Sequence, residues 1–199
     1  MLEKSVRPWL QDNYINLLSK KLIGIGIKQP NLVTLASCFV GVLFLPLILL
    51  DLNGLAIFCL LLSGLLDILD GTIARQVGES SKIGTVYDII SDRVVEFSVI
   101  LGLFLIDPQG RALGAMFMLG SVLLCVTSFL VVGIVSEQES NKSFDYSPGL
   151  MERAEAFIFF IVMILLPAFF NNLALLFTVL VIYTMINRLV ECRAHFRNI

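Results

Sequence analysis

Six apolar segments, separated by short polar turns, limit how this chain can fold. A helix needs about 20 apolar residues to cross the hydrocarbon core of a bilayer. The segments lie at residues 32–50, 55–75, 83–106, 112–135, 150–170 and 173–192. Hydrophobic residues make up 57% of the 199 residues and charged residues only 15%, a balance outside the range of soluble domains. The sequence therefore predicts an all-α integral membrane protein, a single domain over residues 1–199 with six transmembrane helices between residues 32 and 192.

Residues 1–28 precede these segments and have a different pattern, in which charged and apolar residues alternate. The apolar side chains that fall near one helical stripe are Trp9, Leu10, Tyr14, Leu17, Leu18 and Leu22. A helix of this kind lies in the membrane interface, with its apolar side in lipid and its basic residues toward the headgroups. We predict an amphipathic interfacial helix here; the alternative is an amphipathic helix packed on protein.

The distribution of basic residues predicts the orientation. Of the 14 Lys and Arg residues, only Arg111 falls in a turn that would lie on the far side if the N-terminus is cytoplasmic. Membrane proteins keep an excess of Lys and Arg on the cytoplasmic side. Both termini, the stretch from residue 67 to 92 and the polar loop at 136–149 are therefore predicted to face the cytoplasm.

The stretch from residue 67 to 92 joins the second and third apolar segments and carries four aspartates. Asp67 and Asp70 are three residues apart and Asp88 and Asp92 are four apart, so each pair shares a helix face. Carboxylates at the ends of apolar helices are costly unless a cation lies between them. Two such ends brought together offer the oxygen ligands that Mg²⁺ and Mn²⁺ prefer. The sequence predicts a divalent-metal site.

The same stretch reads D-x-x-D-G-x-x-A-R, eight residues, then G-x-x-x-D-x-x-x-D. This pattern resembles the signature of the CDP-alcohol phosphatidyltransferases, and every defining position is present at the matching spacing. The resemblance extends, less sharply, to the six-span layout, the N-terminal helix and the segment from Pro30 to Thr34. It implies an enzyme that transfers a substituted phosphate from a CDP-activated alcohol to a second alcohol and releases CMP.

The resemblance also implies roles for individual residues. The expected metal ligands, for Mg²⁺ or Mn²⁺, are Asp67, Asp70, Asp88 and Asp92. Asp92 is further expected to be the general base that takes the proton of the attacking hydroxyl. The residues expected to bind the nucleotide are Asn31, Thr34, Asp67, Asp70, Gly71, Ala74, Arg75 and Gly84. In these roles Gly71 and Ala74 leave room for the nucleotide, and Arg75 contacts phosphate or cytidine.

The expected donor is CDP-diacylglycerol, with a CDP-choline or CDP-ethanolamine type of donor as the alternative. Lys142, Arg153 and Arg193 are candidates for an anion pocket that binds the acceptor. Such a pocket favours glycerol 3-phosphate or an inositol phosphate as the small polar acceptor. Membrane lipid is an expected partner and nucleic acid is not. By resemblance, the protein is expected to be a homodimer, and its size fits a prokaryotic inner membrane.

Three other functions fit parts of the pattern. Intramembrane prenyltransferases also bind pyrophosphate through aspartates, but their motifs lack the insert formed by Gly71, Ala74 and Arg75. An ion-coupled transporter would place its acids near the middle of the membrane, whereas these lie near helix ends. A structural partner with a degenerate site would have lost motif positions, and none is substituted here.

Overall fold

The computed structural model of the protein describes residues 11–79, 81–139 and 150–197, and these residues form helices and short turns without a β-strand. The predicted all-α class is confirmed. The chain divides after Pro108 into two compact units. The first unit contains a π-helical turn, Gln11–Ile15, followed by α1 (Asn16–Gly24), α2 (Pro30–Val42), α3 (Phe44–Leu49), α4 (Asn53–Val77) and α5 (Lys82–Ile106). The second contains α6 (Pro108–Glu139), α7 (Arg153–Leu165), a 3₁₀ turn (Pro167–Phe169) and α8 (Phe170–Arg197).

Small residues hold α2, α4 and α5 close together in the first unit. A Cβ atom added to Gly41 of α2 would lie 2.5 Å from Val95 Cγ2 of α5 and 2.8 Å from Ser63 Oγ of α4. The Ser37 hydroxyl of α2 also donates to the Ser63 carbonyl oxygen at 2.8 Å. Close backbone approach at glycine and serine is a usual way for membrane helices to associate. This packing places the C-terminal end of α4 beside the N-terminal ends of α2 and α5.

A short turn reverses the chain between α4 and α5. Gly78 ends α4 in the left-handed conformation, with φ of 76° and ψ of 18°, which glycine adopts without steric cost. Ser81 then caps α5, its hydroxyl accepting a hydrogen bond from the Gly84 amide at 3.1 Å. The two motif halves therefore lie on antiparallel helix ends.

The N-terminal segment packs on α4. Ile15 lies in a buried apolar cluster with Val33, Leu69 and Ile73. Tyr14, Leu17 and Leu18 are exposed, whereas Trp9 and Leu10 lie outside the described residues. The segment thus has one face on protein, as in the alternative named above, and an exposed apolar face. Its location in the membrane interface stays a prediction.

In the second unit, α6 and α8 approach closely at Gly114, where an added Cβ would lie 3.1 Å from the Ala174 Cβ. The Asn171 amide of α8 donates to the Gly110 carbonyl oxygen of α6 at 2.9 Å. Phe160 of α7 stacks on Phe177 of α8, with ring centroids 5.7 Å apart. Aromatic side chains and close backbone contact thus hold this unit together.

Among the described residues, four stretches are long and apolar enough to cross a membrane: Pro30–Leu49, Asn53–Val77, Pro108–Val135 and Pro167–Ala194. They correspond to the predicted first, second, fourth and sixth spans. The predicted third span is α5, a 25-residue helix that carries Asp92, Arg93 and Glu96. The predicted fifth span is α7, which has 13 residues and is extended by the 3₁₀ turn. The protein is an integral membrane protein, and the full count of six spans stays a prediction.

Candidate metal and nucleotide site

Three aspartates of the motif converge where α4 ends and α5 begins. One carboxylate oxygen from each of Asp67, Asp70 and Asp88 lies within 4.8 Å of the other two. Asp70 is buried, and the other two are half-buried. Three carboxylates this close repel one another unless a cation offsets their charge, and their oxygens are ligands for a hard divalent ion. The residues therefore fit Mg²⁺ or Mn²⁺.

Thr34 holds the buried aspartate in place. Thr34 lies on α2, one turn after Pro30; its hydroxyl donates to Asp70 Oδ2 at 2.5 Å, and the Pro30 carbonyl oxygen is 3.2 Å away. A hydrogen bond to a carboxylate is stronger than one between neutral groups. Thr34 thus orients a metal-site carboxylate, a role that its spacing from the motif did not indicate. Its expected contact with the nucleotide stays a prediction.

A cavity of about 170 Å³ opens beside the three aspartates. The residues lining it are Pro30, Asn31, Thr34, Asp70, Gly71, Ala74, Arg75, Glu79, Ser81, Gly84, Thr85 and Asp88. All the residues expected to bind the nucleotide are among them except Asp67. Asp67 belongs to the group of three converging aspartates, and the other two members, Asp70 and Asp88, line the cavity. The cavity therefore brings together residues of α2, α4 and α5 that are up to 58 positions apart in the sequence, from Pro30 to Asp88.

The two motif glycines have different surroundings. A Cβ on Gly71 would meet only the flexible Arg75 side chain, 3.4 Å from its Nη1. A Cβ on Gly84 would lie 3.1 Å from Asn31 Oδ1 and 3.2 Å from Ser81 Oγ. Gly71 therefore keeps the cavity open, whereas Gly84 also lets α5 approach the Asn31 side chain. The second effect was not foreseen, because it depends on α2.

Four residues lining the cavity were missed by the sequence analysis: Pro30, Glu79, Ser81 and Thr85. Ser81 and Pro30 are helix-start residues, so capping signals beside the motif could have located them. Glu79 follows the left-handed Gly78 and carries no motif signal. It also lines an adjoining cavity of about 390 Å³, together with Gln29, Pro30, Asn31 and Ser81.

Asp92, the expected base, lies on α5 one helical turn beyond Asp88 and is half-buried. It is outside the group of three converging carboxylates. Its Oδ2 is 3.8 Å from Arg93 Nη2, and Arg93 Nη1 in turn lies 2.5 Å from Glu96 Oε2. Both its role as base and its role as metal ligand stay predictions.

Arg153 and Arg193, two of the residues expected to bind the acceptor, are not among the described residues that line the cavity. Lys142 lies outside the described residues. Arg153 and Arg193 belong to the second unit. The Arg153 guanidinium lies over the Phe157 ring, 5.4 Å from its centroid, and Arg193 is exposed. Their part in acceptor binding stays a prediction.

A family model described as CDP-alcohol phosphatidyltransferase matches residues 27–187. The chain belongs to this family. The predicted resemblance and the predicted class of enzyme are confirmed, because the match spans α2 to α8 and includes the converging aspartates. The protein is thus a transferase of phospholipid synthesis that uses a CDP-alcohol.

The chain is similar to two known proteins and to two solved structures. It is 32% identical over 166 residues to "Inner membrane protein YnjF" of Escherichia coli, covering 80% of each chain. It is 29% identical over 147 residues to "Phosphatidylinositol phosphate synthase" of Mycobacteroides abscessus, covering 72% of this chain and 64% of that protein.

The structures are both of the Mycobacterium tuberculosis phosphatidylinositol phosphate synthase. One, in complex with manganese and citrate, gives a TM-score of 0.71 at 20% identity and covers 89% of this chain and 88% of that one. The other, with CDP-DAG bound, gives 0.66 at 21% identity and covers 90% and 93%. At this level of identity the likeness establishes a common fold.

Proposed function

We propose that this enzyme transfers the phosphatidyl group of CDP-diacylglycerol to the hydroxyl of a small polar acceptor and releases CMP. The observation that carries this proposal is the convergence of Asp67, Asp70 and Asp88 on a cavity that the rest of the motif lines. The family establishes a CDP-alcohol as the donor. CDP-diacylglycerol is favoured because a solved structure of the same fold holds it.

In this proposal the chain positions the donor through its diphosphate. Asp67, Asp70 and Asp88, together with Asp92, would hold Mg²⁺ or Mn²⁺. When bound, the divalent ion offsets the negative charge of the diphosphate and of the departing CMP. Gly71 and Ala74 have little or no side chain, so the nucleotide can lie directly against this part of α4. The Arg75 guanidinium, which is exposed at the cavity, pairs with a phosphate or with cytidine.

The chemical step then needs one proton acceptor. Asp92 takes the proton of the acceptor hydroxyl as its oxygen attacks the phosphorus that carries diacylglycerol. The bond from that phosphorus to the bridging oxygen breaks, and CMP leaves with the electron pair. A new phosphodiester joins diacylglycerol to the acceptor, so no redox partner or further reactant is required.

The acceptor is proposed to be a phosphorylated alcohol, either glycerol 3-phosphate or an inositol phosphate. One support is the name of the mycobacterial relative, since a phosphatidylinositol phosphate contains an inositol phosphate. The other is the presence of Lys142, Arg153 and Arg193, which supply positive charge for an anion.

The membrane arrangement is part of the same proposal. We infer six spans within a single domain over residues 1–199, an interfacial helix over residues 1–28, and a homodimer. Both termini and the cavity face the cytoplasm, because all Lys and Arg residues except Arg111 then lie on that side. The similarity to an inner membrane protein favours the inner membrane of a prokaryote.

CMP release by the purified protein tests the reaction. The assay contains CDP-diacylglycerol with Mg²⁺ or Mn²⁺ and one acceptor at a time: glycerol 3-phosphate, inositol, inositol 1-phosphate or serine. We expect release with a phosphorylated acceptor, and a rate about 10²- to 10⁴-fold lower in Asp92→Asn. Asp51→Asn is the matched control: Asp51 lies in the turn before α4 with a φ of 57°, which Asn tolerates, and its activity should be unchanged.

Two results would contradict the proposal. Release only with CDP-choline or CDP-ethanolamine and diacylglycerol would assign a different donor. Release that is equal in Asp92→Asn and wild type would remove Asp92 from the role of base.

A further inference from the structure

The side chain of Thr72, a variable position inside the motif, joins the N-terminal segment to a motif residue. Its hydroxyl oxygen accepts hydrogen bonds from Gln11 Nε2 at 2.9 Å and from Arg75 Nη2 at 3.2 Å. It donates to the Ile68 carbonyl oxygen at 2.8 Å. A hydroxyl has one hydrogen and two lone pairs, so these three contacts use its full capacity. Thr72 is 2% exposed, and water does not replace a lost partner easily.

The partner on the N-terminal side is itself held in one orientation. The Gln11 amide nitrogen donates one hydrogen to Thr72 and the other to Asn16 Oδ1, at 3.1 Å. Ile15, between these two residues, is buried against α4. The Gln11 amide is therefore fixed by the docking of its own segment and presents a donor to Thr72.

The partner on the other side is the motif arginine. Arg75 lines the cavity, and its side chain has four rotatable bonds whose freedom is lost when it binds a ligand. A hydrogen bond that holds the guanidinium beforehand lowers this cost, and so raises affinity without a new ligand contact. Thr72 is the residue that provides such a bond in the described structure.

We propose that Thr72, held by Gln11, is a positioning residue that orients the Arg75 guanidinium for the CDP-alcohol donor. This inference rests on the proposed role of Arg75 in donor binding. It makes the N-terminal segment part of the donor site, since one of its side chains shares an oxygen with Arg75. Thr72 acts through Arg75 and takes no part in the transfer step.

The test measures donor KM and kcat for CMP release at a saturating acceptor concentration in detergent micelles. Thr72→Val keeps the shape and removes the hydroxyl. We expect it to raise donor KM by about two- to tenfold, with kcat within about twofold of wild type. Thr72→Ser restores the hydroxyl and should return KM to near the wild-type value. In Thr72→Val/Arg75→Ala, KM should equal that of Arg75→Ala alone, because Thr72 has no other route to the donor.

Ser19→Ala is the matched control for docking of the N-terminal segment. Ser19 Oγ of α1 donates to Gln76 Oε1 of α4 at 3.1 Å, so this variant removes another hydrogen bond between the N-terminal segment and α4 and leaves Thr72 untouched. Its donor KM should stay at the wild-type value. Gln11→Leu removes the second donor to Thr72, together with the hydrogen bond from Gln11 to Asn16 within the N-terminal segment. It should raise KM by less than Thr72→Val does, and it serves as the test if Thr72→Val fails to fold.

The outcomes separate this inference from the proposed function. An unchanged KM in folded Thr72→Val, or multiplicative effects in the double variant, overturns the positioning role. A rise in Ser19→Ala as large as in Thr72→Val would attribute the effect to docking, and also overturns it. If Arg75→Ala leaves KM unchanged, the proposed role of Arg75 falls together with this inference, while the Asp92→Asn assay still decides the transferase reaction.

Discussion

The same three helices, α2, α4 and α5, meet in two regions that are packed in opposite ways. In the first region, around Gly41, Ser63 and Val95, the helices touch so closely that a single added carbon has no room. In the second, around Asp70, Gly71 and Asp88, they surround a cavity. The tight region fixes the distances between helices, and the open region uses those distances to hold charged groups together. We refer to them as the packed region and the open region.

Two glycines illustrate the difference. A Cβ at Gly41 would lie 2.5 Å from a Val95 methyl group, whereas a Cβ at Gly71 would meet only the Arg75 side chain at 3.4 Å. Protein packing therefore requires glycine at position 41 and does not require it at position 71. Gly71 belongs to the motif although the packing of the helices does not require glycine there, which favours a role for Gly71 in ligand binding.

Among variants of these two regions, the largest effect is expected from a charge change in the open region. Asp88→Asn should lower CMP release by about a hundred- to a thousandfold, because a preorganised charge at the diphosphate is lost. Without divalent metal the same variant should unfold at a temperature no lower than wild type, since one of three repelling carboxylates is neutralised. The measurements are the CMP assay and thermal unfolding in EDTA. Activity above about a tenth of wild type would exclude Asp88 from the metal site.

A substitution in the packed region should change the stability of the protein. Gly41→Val should lower the free energy of unfolding by about 1–3 kcal/mol, since the added side chain overlaps Val95 and Ser63. Gly120→Val is the control, because a Cβ added at Gly120 would have no described atom within 4 Å apart from the neighbouring backbone of its own helix. Denaturation in detergent compares the two variants. Equal stability in both would show that the close contact at Gly41 is not required.

A larger side chain in the open region should weaken substrate binding and leave the fold intact. Gly71→Val should raise donor KM by about tenfold, because its methyl groups occupy the place proposed for the nucleotide. Its unfolding should match that of wild type. Steady-state kinetics and denaturation of the same preparation measure the donor KM and the unfolding free energy. If Gly71→Val is destabilised as much as Gly41→Val, the two regions do not differ in their packing requirements.

The smallest effect is expected at the serine pair of the packed region. Ser37→Ala removes the hydrogen bond to the Ser63 carbonyl oxygen and should cost about 0.6 kcal/mol of unfolding free energy, with activity unchanged. Ser121→Ala is the control, since that hydroxyl donates to the Met118 carbonyl oxygen of its own helix. A loss of activity without a loss of stability would link the packed region directly to chemistry.

Much of the helical layout could be predicted because hydropathy and helix-ending residues are local signals. The predicted second span, residues 55–75, became α4 over Asn53–Val77, and the turn at Gly78 and Ser81 follows from ordinary capping chemistry. The interruption of the first span at Leu43, between α2 and α3, was not predicted. Pro46 has no N–H to donate to the Val42 carbonyl oxygen four residues earlier, and its ring crowds that oxygen. The break after Val42 is therefore a local effect of proline that the sequence analysis overlooked.

For the site, the sequence by itself determined which groups are present and on which helix faces they lie. The spacing of Asp67, Asp70 and Asp88 placed carboxylates at two neighbouring helix ends, because three- and four-residue intervals follow the helical repeat. Only the tertiary structure decided which side chains hold them. The bonds from Thr34 to Asp70 and from Gln11 to Thr72 join residues 36 and 61 positions apart. Contacts at such separations depend on how helices pack, and no local periodicity encodes them.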